Sequence, residues 1–286
     1  MKLKDKVAVI TGVNENIGGS IAEQMAAEGA RVVCSDISAD NSNLCAQSVE
    51  RQGGRALAVP CDVTDAEAVR ELVERTVSTF GGIDIVVNGA AVDLHKTILE
   101  ITVEEWRRQI DVILTGTFVV TKYALGWMVS RGRPGSVINL SSTAGHQGQP
   151  GNIGFCTAKS ALHNFTRSVA MEMATHGIRV NTLTPTATDP KEGTARAESW
   201  GRTFHQAHLA DMFEAVRLEV PMQELPTPSD YAKAAVFLAS DDARMITGID
   251  LAVDAGVLAR YWAWSPRQPE TWQGGWLEEP EQARTP

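Results

Sequence analysis

Residues 7–18 read VAVITGVNENIG, and this stretch decides the fold. A short β-branched run leads into a glycine turn, and an amphipathic segment follows directly. In a nucleotide-binding unit this turn lets the backbone approach a pyrophosphate at the helix N-terminus. Gly12 and Gly18 suit such a turn, and Asn16 lies between them. Asparagine is the non-glycine residue that best tolerates left-handed backbone, so we expect the turn to survive.

The same alternation of short β-branched runs and longer amphipathic stretches continues along the chain. Strands are predicted at Lys6–Ile10, Arg31–Ser35, Ala56–Pro60, Ile83–Val87, Ser136–Leu140, Ile178–Leu183 and Asp250–Val253. Helices are predicted at Ile17–Glu28, Asn41–Gln52, Ala66–Phe80, Val103–Arg131, Gly154–His176 and Asp230–Ala239. This rhythm is typical of parallel strands joined by right-handed crossovers. We therefore predict the α/β class, with a single doubly wound, Rossmann-type sheet of seven parallel strands and helices on both faces.

Composition limits the classes of partner. The formal net charge of −9 over 286 residues argues against a nucleic-acid or anionic-membrane surface, because either requires clustered Lys and Arg. No apolar run is expected to span a membrane. The first strand begins so near the N-terminus that no signal peptide is expected, which favours a cytoplasmic protein.

The cysteines do not suggest a metal or redox site. Cys34, Cys45, Cys61 and Cys156 form no C-x-x-C pair and have no histidine-rich companion segment. No metal is therefore predicted. Small buried or half-buried thiols in a reducing compartment are the simplest interpretation.

A second stretch suggests a family. Residues 141–145 read SSTAG and residues 155–159 read FCTAK, a combination that resembles the active-site segment of short-chain dehydrogenases/reductases. In that family a Ser precedes, by thirteen residues, the Tyr of a Y-x-x-x-K motif. Ser142 and Lys159 keep this spacing, but Phe155 occupies the tyrosine position. A phenyl ring can neither donate nor accept a proton. The resemblance covers about residues 1–256 and closes with TGIDLAVDAG at 247–256.

The resemblance implies a dinucleotide site at the glycine turn. Asp36 ends the second predicted strand, where a carboxylate accepts from the ribose 2′-hydroxyl and repels a 2′-phosphate, so NAD(H) is favoured over NADP. Asp62 and Val63 match the adenine contact, and residues 88–91 (NGAA) match the family's N-N-A-G turn without its last glycine. The expected cofactor-binding residues are Gly12, Asn14, Asn16, Ile17, Gly18, Asp36, Asp62, Val63, Asn88, Gly89, Ala90, Lys159, Pro185, Thr186 and Thr188.

The nicotinamide end departs further from the family. Thr186 replaces the glycine of a P-G turn, and Pro190 stands where a Thr usually contacts the carboxamide. Thr188 lies two residues earlier and substitutes only if the loop is rearranged.

The resemblance also implies four cooperating catalytic positions. The Tyr is the acid or base, the Ser contacts the substrate oxygen, the Lys holds the ribose, and an Asn anchors a relay water. Ser142 and Lys159 are kept, Phe155 replaces the Tyr, and Ile113 replaces the Asn. His146 is expected to face the same cleft as a possible replacement acid. Asp93 and His95, after the fourth strand, are further candidates.

Three functional interpretations stay open. The first is an NAD-dependent oxidoreductase without the tyrosine, acting on a small, apolar or cyclic carbonyl or alcohol, or on an activated electrophile. The second is an inactive subunit that pairs with an active relative. The third is an engineered Tyr-to-Phe protein made to trap substrate, which Ile113 disfavours because such a change would leave the Asn in place.

Two segments fall outside the strand–helix rhythm. Residues 189–228 carry Trp200, Phe204, Met212 and Phe213 at helical spacing, which suits either a substrate flap or a surface helical hairpin. The tail at 257–286 carries Trp262, Trp264, Trp272 and Trp276 among polar residues. Because large aromatic side chains favour burial, we expect the tail to cover a neighbouring subunit or the cleft mouth.

The long helices at 103–131 and 154–176 are expected to pair with their copies in a homodimer or homotetramer.

Overall fold

The parallel sheet is present. The computed structural model describes residues 1–204, 206 and 209–268. Within these residues the strands are β1 (Val7–Thr11), β2 (Arg31–Ser35), β3 (Arg55–Ala58), β4 (Ile85–Asn88), β5 (Gly135–Leu140), β6 (Ile178–Pro185) and β7 (Asp250–Val253). They form one seven-stranded sheet in the order β3-β2-β1-β4-β5-β6-β7, with every neighbouring pair parallel. The predicted fold class is confirmed.

Helices connect successive strands. They are α1 (Ile17–Ala27), α2 (Ala39–Arg51), α3 (Ala66–Phe80), α4 (Val103–Ile110), α5 (Gly116–Ser130), α6 (Ile153–Met173), α7 (Pro190–Ser199), α8 (Ala210–Arg217) and α9 (Pro228–Ala239). The single helix predicted over 103–131 is interrupted by a π-helical turn, Asp111–Thr115. Such turns widen a helix locally and are frequent at functional sites.

Two apolar layers hold the helices to the sheet. On one face, Ile21 and Met25 of α1 and Tyr231 of α9 are fully buried with the inward side chains of the strands. On the other face, Leu72 of α3 and Met128 of α5 belong to a second buried cluster. Three of the four cysteines are buried and all four are free thiols, as the sequence predicts.

One helical run bears on the expectation that no apolar run spans a membrane. Among the described residues, the helical run Val103–Ser130 is long and apolar enough to cross a membrane by length and composition. Val119, Val120 and Ala124 of this run are buried in the cluster beneath the sheet. Core helices of folded domains pass the same test, because both environments select apolar side chains.

The excursion between β6 and α9 contains α7 and α8. The first of these helices docks on α1, where the Arg196 guanidinium bonds the Glu23 carboxylate at 3.0 Å with both side chains largely buried. In this first half, Phe204 is buried and packs on Gly193 of α7. The second half differs, because Leu209 and Phe213 line the cleft described below. The substrate flap and the surface helical hairpin both stay predictions for this segment.

The first part of the tail lies on its own chain. Arg260 donates to the Glu219 carbonyl at 2.9 Å, and Gln223 donates to the Pro266 carbonyl at 3.1 Å. Trp264 lines a shallow hollow beside Pro221, outside the cleft. The predictions made for Trp272 and Trp276 fall outside the described residues.

Candidate functional site

The glycine turn after β1 begins a cleft at the carboxyl ends of the strands. Gly12 has φ +77°, and a Cβ added there would lie 2.6 Å from the Gly89 carbonyl group. A Cβ added at Gly18 would lie 2.1 Å from the Gly12 carbonyl oxygen. These contacts require glycine at both positions, because a larger residue would separate β1, β4 and α1. The turn thus exposes backbone at the N-terminus of α1, the geometry that suits a pyrophosphate.

Asn16 behaves differently from the expectation. Its φ is −97°, so no left-handed backbone is needed at this position. Its amide N–H donates to Asn14 Oδ1 at 3.0 Å, and its Nδ2 donates to Gln206 Oε1 at 3.4 Å. Its Oδ1 is buried without a hydrogen-bond partner. The side chain therefore borders the turn with one weak bond and one unsatisfied acceptor.

The end of the cleft where adenosine is expected contains two carboxylates. Asp36, Asp62 and Val63 line one cavity together with the glycine turn and residues 89–92. Burial raises the pKa of Asp36, while the Ser38 amide, which donates to it at 2.9 Å, opposes that shift. A half-buried acceptor at the end of β2 is well placed to receive a ribose hydroxyl.

An arginine from the excursion reaches this same corner. Arg202 donates to Asn41 Oδ1 at 2.7 Å and to Glu15 Oε2 at 2.5 Å. Its positive charge also lowers the pKa of Asp36, against the larger effect of burial. Sequence reasoning missed this contact, because Arg202 is far from the strand ends along the chain.

Asn88 is not a cleft residue. Its Nδ2 donates to Thr121 Oγ1 at 3.0 Å and to Asn139 Oδ1 at 2.8 Å, and Asn139 in turn donates to Thr166 at 2.9 Å. The side chain thus ties β4 to β5 and α5 inside the fold. Asn88 was named among the cofactor-binding residues, but its side chain lies inside the fold, while the adjacent Gly89 and Ala90 line the cleft.

The glycine turn continues into the chemical end of the cleft. One cavity is lined by Gly12, Asn14, Asn16, Ile17 and Gly18 and also by Asp93, His95, Ser142, Phe155, Lys159, Pro185, Thr186 and Thr188. The Thr188 hydroxyl donates to the Thr186 carbonyl at 3.4 Å within its own turn. Pro190 begins α7 and has no N–H to offer. These two residues therefore offer only weak hydrogen bonding to a nicotinamide carboxamide.

Lys159 is the most deeply buried ionisable group among the described residues that line this cavity. Its side chain is 4% exposed, and its Nζ donates to the Leu140 carbonyl at 2.5 Å. Burial lowers the pKa of Lys159 to about 8, and the Asp93 carboxylate opposes that shift. Asp93 itself pairs with His95 at 3.2 Å at the exposed rim. The Ser142 hydroxyl oxygen accepts from the Ala144 amide at 3.2 Å.

Phe155 and Ile113 share one apolar cluster. Ile113 lies in the π-helical turn and is fully buried with Ala158 and Leu162, and Phe155 packs against this group. The Phe155 ring centre lies 5.5 Å from Lys159 Nζ, close enough for a cation–π contact. The positions that the resemblance assigns to the Tyr and the Asn therefore belong to the same cluster, and both hold apolar side chains.

His146 lies away from this cleft. Its Nε2 is 2.9 Å from Asp250 Oδ2, and its ring centre is 4.1 Å from that of His163. It lines a separate hollow with Gln147, Cys156 and neighbouring residues. The expectation that His146 faces the cleft is therefore wrong, because the 3₁₀ turn after Ser142 carries its ring into this separate hollow.

Comparison with known proteins gives one consistent family. Residues 12–258 match the family described as enoyl-(acyl carrier protein) reductase. The chain is similar to cis-4-hydroxycyclohexanecarboxylate dehydrogenase of Sinomonas cyclohexanicum, with 37% identity over 89% of this chain and 97% of that protein. It is also similar to galactitol 2-dehydrogenase of Agrobacterium fabrum, with 36% identity over 90% of this chain and 98% of that protein.

Solved structures agree with these relatives. A short-chain type dehydrogenase/reductase from Mycobacterium marinum is 30% identical and has a TM-score of 0.81. The match covers 91% of this chain and 98% of that one. A short chain dehydrogenase from Mycobacterium smegmatis is 29% identical with a TM-score of 0.73, over 88% of this chain and 92% of that one.

Proposed function

Because the chain belongs to the short-chain dehydrogenase/reductase family, we propose that it is an NAD(H)-dependent oxidoreductase that works without the tyrosine acid. Its substrate would be a small, apolar or cyclic carbonyl or alcohol, or an activated electrophile. The dehydrogenase names of the relatives support the reaction class. One observation carries the proposal: a continuous cleft joins the glycine turn to Ser142 and Lys159.

The residues of the cleft fit a dinucleotide. The close backbone packing at Gly12 and Gly18 keeps the turn tight at the N-terminus of α1, where a pyrophosphate would bind. Asn16 fits as well, because rotating its weakly held amide would turn the Nδ2 donor towards a phosphate oxygen. Bound NAD would supply the nicotinamide ring that accepts or gives the hydride. Asp36 would hold the adenosine ribose, and Lys159 the nicotinamide ribose.

The substrate oxygen would lie between Ser142 and Lys159. Ser142 lines the cleft with its hydroxyl oxygen already oriented by the Ala144 amide. Phe155, Leu209 and Phe213 add apolar walls, which favours a ring-bearing or hydrocarbon substrate. The proton is assigned to the Lys159 ammonium, because it is the ionisable group most deeply set among the described residues of this cavity.

Asp36→Asn is expected to weaken NADH binding about 10- to 100-fold, because a hydrogen bond to a charged group contributes roughly 1.5–3 kcal/mol. The same change should strengthen NADPH binding, since the repulsion of a 2′-phosphate is removed. Titration by quenching of tryptophan fluorescence measures both affinities. Asp40→Asn is the matched control, because it removes an equal charge from an exposed position in the first turn of α2. Tighter binding of NADPH than of NADH by the unmodified protein would contradict the cofactor assignment.

An inactive partner subunit is a second candidate. The bond from Asn16 to Gln206 spans the turn that would receive the phosphates, and Thr188 and Pro190 offer the carboxamide little. Calorimetry separates the candidates. Micromolar NADH binding supports the oxidoreductase, whereas no NADH binding together with stable association with another short-chain dehydrogenase supports the subunit.

A further inference from the structure

Three side chains from separate elements converge outside the lining of the cleft. His146 comes from the turn after β5, His163 from the middle of α6, and Asp250 from the start of β7. One ligating atom from each lies within 4.8 Å of the others. His146 Nε2 is 2.9 Å from Asp250 Oδ2, and His163 Nδ1 is 3.9 Å from Asp250 Oδ1. Ligands of a tetrahedral zinc ion, at bonds of about 2.0–2.1 Å, are separated by roughly 3.3 Å.

The tautomer of His163 follows from its neighbours. The Ser141 hydroxyl has one hydrogen, and it donates to the Lys159 carbonyl at 3.1 Å. Towards His163 Nε2, 3.0 Å away, the Ser141 oxygen must therefore accept, so Nε2 carries the hydrogen. In the neutral ring Nδ1 is then a lone pair, and this atom is buried without a hydrogen-bond partner. His163 as a whole is 8% exposed.

Two acceptors thus face each other across a short gap. A nitrogen lone pair and a carboxylate oxygen repel unless a cation lies between them. The outer hydrogen bonds are those expected around a metal ligand: Ser141 orients His163, and the Thr184 hydroxyl donates to Asp250 Oδ1 at 2.6 Å. His146 borders an open hollow, which offers an entry path and room for a water molecule as fourth ligand.

We propose that His146, His163 and Asp250 bind one divalent transition-metal ion of borderline softness, with Zn²⁺ the best match. Two imidazoles, one carboxylate and a water form a ligand set that zinc accepts in proteins. The ion would join the turn after Ser142 to α6 and β7. The sequence offers no clue, because the ligands are scattered over three elements and form no spaced motif.

The test is a metal titration of the full-length protein after chelation. Equilibrium dialysis should find one Zn²⁺ per chain, thermal unfolding should shift upward with added Zn²⁺, and Co²⁺ should give the visible absorption of a four-coordinate site. His146→Ala should weaken binding by at least about 100-fold, because a direct ligand is lost. Thr184→Val should weaken it about 10- to 100-fold, the usual effect of removing an outer hydrogen bond.

His176→Ala is the control, because this histidine lies in an exposed 3₁₀ turn outside the cluster. Asp250→Asn is a second ligand variant that keeps the shape of the side chain, and His146, being exposed, can be changed without opening the core. Absence of stoichiometric Zn²⁺ binding by the unmodified protein overturns the proposal. Equal binding by the His146→Ala and His176→Ala variants also overturns it, because the ion would then be held elsewhere. Metal binding is read directly, so the outcome is independent of whether the chain is a dehydrogenase.

Discussion

Phe155→Tyr is expected to raise the rate of carbonyl reduction about 10²- to 10⁴-fold, the usual contribution of a positioned general acid. The ring already lines the cleft and lies 5.5 Å from Lys159 Nζ, so the change adds one hydroxyl to an existing wall. The ring's contacts with the cluster around Ile113 would be kept. Consumption of NADH with a cyclic ketone measures the gain.

Two further variants sharpen this experiment. Phe155→Leu should leave the low rate unchanged, because leucine also lacks a proton. Ile113→Asn alone should destabilise the fold by about 1–3 kcal/mol, because it places an amide at a fully buried position. Adding Ile113→Asn to Phe155→Tyr should increase the rate further only if water enters the π-helical turn. No gain from Phe155→Tyr, in protein shown to bind NADH, would mean that the cleft does not hold substrate as proposed.

The sheet was predictable because its signals are local. β2 and β7 have the bounds that the sequence predicts, and the glycine turn after β1 lies where expected. The break at 111–115 was not predictable. A π-helical turn changes the backbone hydrogen-bond pattern without needing a glycine, a proline or an interruption in the apolar side chains.

The site was predictable only where its residues belong to contiguous motifs. Gly12 and Asp36 line the cleft because each directly follows a strand that the sequence specifies, and Lys159 lines it because it belongs to the contiguous FCTAK segment. Arg202 was missed because its partners Glu15 and Asn41 are distant along the chain. The direction of a single side chain was also beyond prediction, since periodicity says nothing of how an irregular turn ends. His146, on such a turn, accordingly points to Asp250 instead of the cleft.

Lys159→Met is expected to reduce carbonyl reduction about 10²- to 10⁴-fold, because it removes the group to which the proton is assigned. Its pKa of about 8 makes the ammonium a competent acid near neutral pH. The Asp93 charge raises the pKa of Lys159, while burial, with a smaller contribution from the Lys159 charge, lowers the pKa of the nearby His163. Methionine keeps much of the side-chain length and suits the buried position.

The rates of reduction and of oxidation should depend on pH in opposite directions. Reduction needs the protonated amine, so its rate should be full below pH 8 and fall as pH rises through about 8. Alcohol oxidation needs the neutral amine as base, so its rate should rise through the same pH. Measuring the rates of carbonyl reduction and of alcohol oxidation against pH tests both expectations. They should cross near one pKa, because a single group serves as acid and as base.

Lys159→Arg separates proton transfer from cofactor binding. Arginine keeps the positive charge but does not release a proton at these pH values, so NADH binding should persist while the step near pH 8 disappears. His95→Ala tests the competing acid at the rim, where His95 pairs with Asp93. If the step survives in Lys159→Met and vanishes in His95→Ala, the proton comes from the rim pair and the role assigned to Lys159 is wrong. If only the lysine variants lose the step, the buried ammonium performs the proton transfer that Phe155 cannot.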